Sequence, residues 1–515
     1  MEEFSAPTLI EKGLDRVLET WLRAGAGASD PCERVIETSI SWVFLFRDRA
    51  LKIKKPVNLG FLDFTTLRKR HWAAERELTF NRLTAPDIYR SVRSICRDGA
   101  AGFVLDGGGE LVEWALEMRR FDETAVLSQR PQAVDGDFAE AMGRMIAQFH
   151  IRASPGSAGG GAAGLVSVLR SNAHHLRALS SSLGIDAVER LIAATTAAFE
   201  SVSVFLDRRA GEGFVRCCHG DLHLGNILME NGAAVLFDCV EFNDAFREID
   251  VLYDLAFLLM DLDFRNNRLA ANRVLNGWLD EAARGFDTSF WEGLAALPLF
   301  QSVRAAVRAH VSGRENNLAA ARRYLARAES YLHPSHSAMV AVGGVSGSGK
   351  STIARALAPR LRGPAGAIIL RSDEVRKRLW ARDPTEKLPL EAYTPESHSA
   401  VYVEMLQIAR KCLGAGCTVV ADAVFLRPDE RDRAEQVAAD EGATFEGIWL
   451  EAPPEILRER LARRKNDASD ADAKVLSMQL AQDPGPIRWR RSVSVDARAT
   501  IEDIEGRLGV PKPRT

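Results

Sequence analysis

No apolar run in the 515 residues approaches the length a bilayer span requires, so the sequence offers no helical membrane segment. Charge of one sign is also missing. Lys plus Arg number 67 against 70 Asp plus Glu, a net charge of -3, so there is no polycationic footprint and nucleic acid is not expected as a partner. The seven cysteines (Cys32, Cys96, Cys217, Cys218, Cys239, Cys412, Cys417) are odd in number and scattered, with no second CxxC pair or histidine partner. That argues against zinc and disulfide frameworks and for reduced thiols in a cytoplasmic protein. The start, Met1-Glu2-Glu3-Phe4, is acidic and lacks the basic and apolar regions of a signal peptide. Internal repeats are absent too. What remains is ordinary for globular protein, 46% hydrophobic and 27% charged, with length for two to four domains.

The strongest single stretch is Gly344-Val345-Ser346-Gly347-Ser348-Gly349-Lys350-Ser351-Thr352. It follows the apolar run Ala338–Val342 and opens into a helical pattern from Ile353. Strand, Gly-x4-Gly-Lys-Ser, helix is the full context of a P-loop. Gly344, Gly347 and Gly349 let backbone N–H groups curl toward a phosphate, and the helix N-terminus adds partial positive charge. Lys350 can reach the β- and γ-phosphates, and Ser351, followed by Thr352, can ligate Mg²⁺. Nucleotide binding follows.

Residues 1–120 read as a small α+β lobe. A helical start (9–22) precedes a β-rich stretch from Val35 to Ile53, and a helical pattern over 64–83 contains Glu75 and Glu77. In Leu51-Lys52-Ile53-Lys54 the alternation turns both lysines to one face, either a solvated edge or a phosphate contact. Residues 111–118 alternate like a strand. Beyond about residue 125 the pattern is helical, interrupted by a Gly-rich stretch, 155–164, expected to be a mobile loop. Helices are expected over 166–183 and 187–208, a buried apolar region over 250–263 and a helical pair over 305–331, before a linker at 333–337.

A second constellation lies inside this region: His219-Gly220-Asp221-Leu222-His223-Leu224-Gly225-Asn226, the turn signal Asn231-Gly232, then Phe237-Asp238. Phosphoryl transfer needs an acid that takes the acceptor hydroxyl's proton and hard oxygens for Mg²⁺. Asp221, Asn226 and Asp238 fill those roles in order. His219 is expected to brace the loop, and His223 to have no chemical duty.

His-Gly-Asp-Leu-His-x-Gly-Asn with Phe-Asp downstream resembles the aminoglycoside phosphotransferase and small-molecule kinase family over roughly residues 30–330. Gly220, where protein kinases carry Arg, favours that family. The resemblance implies that Lys52 holds the α/β-phosphates with Glu77 as its helix partner, Lys54 and Glu75 being close competitors. It implies that Asp254 braces the catalytic loop and that residues 118–121 form a hinge touching adenine. No Gly-rich loop precedes Lys52, so Ser39 or Ser41 would meet the phosphates instead.

In the P-loop half, residues 367–370 read as a strand that leads into Asp373, a candidate base by resemblance to P-loop small-molecule kinases or else the cap of the next helix. Arg376 is a candidate clamp. Asp422 ends another strand and resembles the Mg²⁺-organising acid, with a substrate contact or a cap as alternatives. Residues 444–450 form a third strand, ended by Pro453-Pro454. Arg460, Arg463 and Arg464 share one helix face. They form either a solvated surface or the arginine-bearing lid seen in gluconate-kinase and zeta-toxin-like enzymes, with 466–472 as the lid's mobile acidic end.

The expected architecture is an α+β protein-kinase-like two-lobed domain (1–335; small lobe about 1–120, large lobe about 121–335) followed by an α/β P-loop domain with a parallel sheet (338–515). The pairing resembles bacterial fusions of an aminoglycoside phosphotransferase-like domain with a P-loop domain. It implies a bifunctional, ATP- and Mg²⁺-dependent phosphotransferase acting on hydroxyls of small molecules. The alternatives are a regulatory protein whose P-loop domain senses ATP, and a toxin-like kinase of nucleotide sugars.

Overall fold

The computed structural model describes residues 15–60, 62–99, 102–333, 336–463, 468–493 and 497–508. The chain divides into two compact units, one of residues 1–133, 154–159 and 216–249, the other of 134–153, 160–215 and 250–515.

The first unit carries helix α1 (Arg16–Arg23), strands β1 (Arg34–Glu37), β2 (Ser41–Leu45) and β3 (Arg49–Lys54), helix α2 (Leu67–Asn81), and strands β4 (Tyr89–Asp98), β5 (Gly102–Leu105) and β6 (Glu110–Arg119). The strands form one sheet in the order β1-β2-β3-β6-β4-β5, antiparallel throughout. Period-two alternation divides β3 between two faces. Leu51 and Ile53 pack with Leu18 and Leu22 of α1, while Ala50 joins Leu78 of α2 and Met118 of β6. Each leucine fully removed from water contributes about 1.5–3 kcal/mol. Lys52 and Lys54 share the face of Ala50, toward α2. The hairpin β8 (Ile227–Glu230) and β9 (Ala233–Leu236) completes this unit, its turn made by Asn231 and Gly232, both at positive φ. Short strands β7 (Val215–Cys217) and β10 (Glu248–Asp250) lie where the chain passes between units.

The second unit contains helices α3 (Gly136–Arg152), α4 (Ala162–Ala178), α5 (Ser180–Leu183), α6 (Ile185–Gly211), α7 (Val251–Phe264), α8 (Arg268–Gly285), α9 (Leu297–Arg314) and α10 (Leu318–Tyr331). Helix α7 is apolar nearly all round, and Val251 to Asp263 are all buried, as such a helix must be. The Gly-rich stretch 155–164 is only partly a loop: α4 begins at Ala162, whose backbone N–H is accepted by Asp207 at 2.9 Å. A side chain borrowed from α6 supplies the cap that the local sequence lacks.

The same unit continues into β11 (Ala338–Gly343), α11 (Lys350–Leu357), β12 (Ile368–Arg371), α12 (Ser372–Leu379), α13 (Pro395–Gly414), β13 (Val419–Asp422), α14 (Pro428–Asp440), β14 (Thr444–Glu451), α15 (Pro454–Arg463), α16 (Ala473–Ala481), β15 (Arg490–Val493) and α17 (Ala497–Arg507). The five strands are parallel, in the order β12-β13-β11-β14-β15. All six residues of β11 are buried, the unbroken apolar run of a strand covered on both faces. Among the described residues no helix is long and apolar enough to cross a membrane.

Candidate active sites

In the first unit the acids and lysines converge. Lys52 Nζ lies 2.7 Å from Glu77 Oε1 and 2.6 Å from Asp238 Oδ1. Lys54 Nζ lies 2.6 Å from the other Glu77 oxygen and also bonds Glu241. Glu75 instead faces His71 at 3.4 Å on the exposed side of α2. Both lysines therefore meet Glu77, and only Lys52 also reaches Asp238. Burial works against the Lys52 ammonium, but Asp238 and Glu77 outweigh it and hold its pKa well above the usual lysine range. Burial would likewise raise the Glu77 carboxyl, yet Lys52 and Lys54 bring it down to about 2. Glu241 is raised, by burial first.

The loop after β7 is held by its own side chains. Gly220 has φ +85, and a Cβ there would lie 2.6 Å from the Phe246 carbonyl, so glycine is required. His219 Nε2 donates to the Phe237 carbonyl at 3.0 Å, bracing the loop against the hairpin as expected. Asn226 Nδ2 donates to the Asp221 carboxylate at 2.9 Å and to its carbonyl at 3.0 Å. Its amide nitrogen spent this way, Asn226 has its carbonyl oxygen to offer a cation. Asp238 sits at φ +59 with its N–H donated to the Tyr89 hydroxyl at 3.0 Å, and the N–H of Cys239 goes to Asn81 Oδ1 at 2.9 Å. Asn81 is one helical turn beyond Glu77, so α2 steers both Lys52 and the Asp238 backbone. Tyr89, Asn81 and Glu241 were not legible in the sequence, since none belongs to the motif.

These groups border a cavity of about 440 Å³. Ile36, Leu45, Met118 and Phe121 supply apolar walls, and Lys52, Asp221 and Asp238 the polar end. Of the two serines considered for phosphate contact, Ser39 borders the cavity, while Ser41 is fully buried in β2. The shape suits a flat heterocycle between apolar walls, with its phosphates beside Lys52. Asp254 lies in the second unit, fully buried and 3.1 Å from His150 Nε2, whose Nδ1 accepts the Trp278 indole N–H at 3.0 Å.

In the P-loop, Gly344, Gly347 and Gly349 all have positive φ. A Cβ at Gly344 would lie 2.5 Å from the Leu450 carbonyl, and one at Gly347 would lie 2.8 Å from the Leu457 carbonyl. Lys350 Nζ donates to the Val345 carbonyl at 3.0 Å, folded back along the loop. Ser351 Oγ donates to Asp422 Oδ2 at 2.6 Å, pairing the hydroxyl and the acid that an Mg²⁺ ion would share. Thr352 is exposed in the first turn of α11.

Asp373 is the second residue of α12, whose cap position is Arg371, so it is not a cap. Arg376 is buried, with one guanidinium nitrogen on the Ala392 carbonyl at 2.7 Å, a structural placement rather than a clamp. Arg460 lies 3.4 Å and 3.5 Å from the Gly347 and Ser348 carbonyls, beside the loop. Arg463 is 79% exposed and pairs with Glu459, and Arg464 lies outside the described residues. The expectation of a mobile acidic end is corrected at Asp470, which is gripped by Lys377 at 2.9 Å, Tyr393 at 2.6 Å and the Leu388 N–H at 3.1 Å. Sequence reasoning missed Gln479 of α16, which accepts the Ser346 N–H at 2.7 Å.

Residues 100–294 match the model of the phosphotransferase enzyme family, and residues 339–484 match that of an AAA domain. The chain is 30% identical over 475 residues to an uncharacterized protein of Mycobacterium tuberculosis (strain H37Rv) and to another of Mycobacterium bovis, covering 88% of this chain and 90% of each relative. The chain belongs to their family. This chain joins a domain of the phosphotransferase enzyme family to a P-loop AAA domain, and it is an enzyme of the phosphotransferase class. The phosphotransferase match begins after Lys52 and Glu77, whose assignment rests on the geometry above. Similar solved structures include a Plasmodium vivax ethanolamine kinase (12% identity, 60% of this chain and 84% of that one, TM-score 0.37). An APS kinase of Mycobacterium tuberculosis with AMPPNP and APS (19%, 34% and 99%, TM-score 0.26) and a gluconokinase of Sinorhizobium meliloti (20%, 34% and 98%, TM-score 0.23) align to one part of the chain.

Proposed function

We propose that the chain is a bifunctional phosphotransferase that uses ATP and Mg²⁺ at two sites to phosphorylate hydroxyl groups of small molecules. The observation that carries this is the convergence of Lys52, Glu77 and Asp238 beside a loop bearing Asp221 and Asn226. The Ser351–Asp422 pair in the P-loop supports the second site.

At the first site Lys52 binds the α/β-phosphates, and Asn226 and Asp238 would hold Mg²⁺, which supplies charge neutralisation on the phosphates. Asp221 accepts the acceptor hydroxyl's proton as its oxygen bonds to the terminal phosphorus; the phosphoanhydride bond breaks and ADP leaves. At the second site the P-loop amides and Lys350 cradle the phosphates, Ser351 and Asp422 would hold Mg²⁺, and Asp373 serves as base with Arg460 at the phosphates. Gly344, Gly347, Gly349 and Thr352 complete that cradle.

The test is ATP turnover by wild type, Asp221→Ala and Lys350→Ala against sugars, aminoglycosides and nucleotide sugars. Loss of a different acceptor-stimulated activity in each variant supports two kinases. If Asp221→Ala abolishes everything and Lys350→Ala changes nothing, bifunctionality fails. The alternative reading is regulatory, with the P-loop domain as an ATP sensor. It predicts that Lys350→Ala alters the regulation, not the chemistry, of the first site.

A further inference from the structure

His223 stands two residues beyond Asp221 and caps the short 3-10 turn Leu224–Asn226. Its Nδ1 accepts the backbone N–H of Gly225 at 3.0 Å. A neutral imidazole nitrogen that accepts carries no proton, so the proton is on Nε2. That nitrogen lies 3.4 Å from Asp221 Oδ2, the oxygen to which Asn226 Nδ2 donates at 2.9 Å. The separation is at the long end for a hydrogen bond, and such contacts tighten when substrate binds.

Gly225 belongs to the same arrangement. Its φ is not positive, so its backbone alone does not demand glycine. A Cβ at that position, however, would lie 2.7 Å from His223 Cε1 and 2.8 Å from Nδ1. The imidazole occupies the room that a side chain at 225 would fill, and the Gly225 N–H fixes the tautomer. His and Gly two residues apart thus act as one device that aims an N–H at the carboxylate.

We propose that His223 is a positioning residue for Asp221: together with Asn226 it fixes Oδ2, and so sets the direction in which the carboxylate meets the acceptor hydroxyl. This rests on Asp221 being the base of the first site. The positioning is worth about 10- to 100-fold in kcat, the scale on which small misplacements of a reacting group are felt.

The experiment uses the full chain carrying Lys350→Ala, so that turnover reports the first site. His223→Ala, His223→Gln, Gly225→Ala and Asp221→Ala are compared for Mg·ATP hydrolysis, for Mg·ADP affinity and for Tm. The expected result is a 10- to 100-fold fall in kcat for His223→Ala and Gly225→Ala with KM for ATP, ADP affinity and Tm unchanged, and partial recovery in His223→Gln, which keeps a donor. Full turnover in His223→Ala while Asp221→Ala is dead overturns the positioning role alone. Turnover that survives Asp221→Ala overturns the assignment of the base, and the positioning role with it. Loss of ADP binding in His223→Ala makes the residue a loop support and also overturns the proposal. A readout independent of turnover is the side-chain ¹H–¹⁵N spectrum of the histidines, with His223 assigned from His223→Gln. An Nε2–H tautomer whose resonance shifts in Asp221→Asn is expected; an Nδ1–H tautomer, or no shift, overturns it.

Discussion

Glu77 is fully buried between two ammonium groups, and the two lysines do different work. Lys54 is 3% exposed and has carboxylates on both sides, so its removal takes from Glu241 the lysine it is paired with and leaves Glu77 held by Lys52 alone. Breaking a buried pair this way costs about 3–5 kcal/mol. Lys54→Ala is therefore expected to lower the unfolding free energy by that amount, whereas Lys52→Ala, beside the cavity, chiefly weakens ATP binding. Denaturant unfolding and ATP titration of the two variants distinguish these effects. Acid should act through Glu77. Its folded pKa of about 2 lies below the ordinary 4.5, so its contribution is present above 4.5 and lost as pH falls toward 2; Glu77→Gln should flatten that limb of the stability curve. The sequence alone left Lys52 against Lys54, and Glu75 against Glu77, open for a physical reason. A strand repeat of two turns both lysines to one face, and only the packing angle of α2 decides which glutamate arrives there. The Asp221–Asn226–Asp238 set was legible because its members lie within eighteen residues. Tyr89 and Asn81, more than 140 residues before Asp238, had no local signal.

Helix α12 starts where β12 ends and carries charges of opposite sign one turn apart. Glu374 meets Arg371, and burial first, then Asp280, pushes its carboxyl up to about 7 despite Arg371 and Arg144. A folded pKa above the ordinary 4.5 means that the folded protein holds the proton more tightly. That contribution is whole below pH 4.5 and is lost as pH rises through 7, the reverse of Glu77. Glu374→Gln should remove the decline between pH 4.5 and 7 in urea-unfolding midpoints; an unchanged profile would refute the assignment. One turn further along, Lys377, 1% exposed, grips Asp470, and Asp470→Ala strands that cation. Limited proteolysis near residue 470 should accelerate in the variant. Regular strands and helices of this half were readable from apolar runs, glycines and prolines. The tether was not, since an acidic, Ala-rich stretch reads as solvated until Lys377 is brought to it from 93 residues away.

At the scale of the whole molecule, the linker at 333–337 marks a break in sequence, yet the P-loop sheet and helices α3 to α10 lie in one compact unit. The reason is the exposed side of β12, the edge strand of the parallel sheet. Helix α8 covers it. Asn272 Nδ2 donates to the carbonyls of Ala365 and Ala367, both at 2.9 Å, and Asn276 Oδ1 accepts the Ile369 N–H at 2.7 Å. Arg268 adds bonds to the carbonyls of Pro359, Leu361 and Gly363. An uncovered edge strand is a template for pairing with another chain, and a buried polar group left unpaired costs about 1–3 kcal/mol. Residues 338–515 expressed alone should therefore bind ADP with a lower Tm than the full chain and self-associate as concentration rises. The double variant Asn272→Ala/Asn276→Ala in the full chain should lower the Tm of the P-loop region without changing the first site's nucleotide affinity. Scanning calorimetry and sedimentation of the three proteins decide the matter. An isolated 338–515 fragment that stays monomeric with the full chain's Tm would mean that α8 merely touches the sheet, and that the break in sequence is also the break in stability.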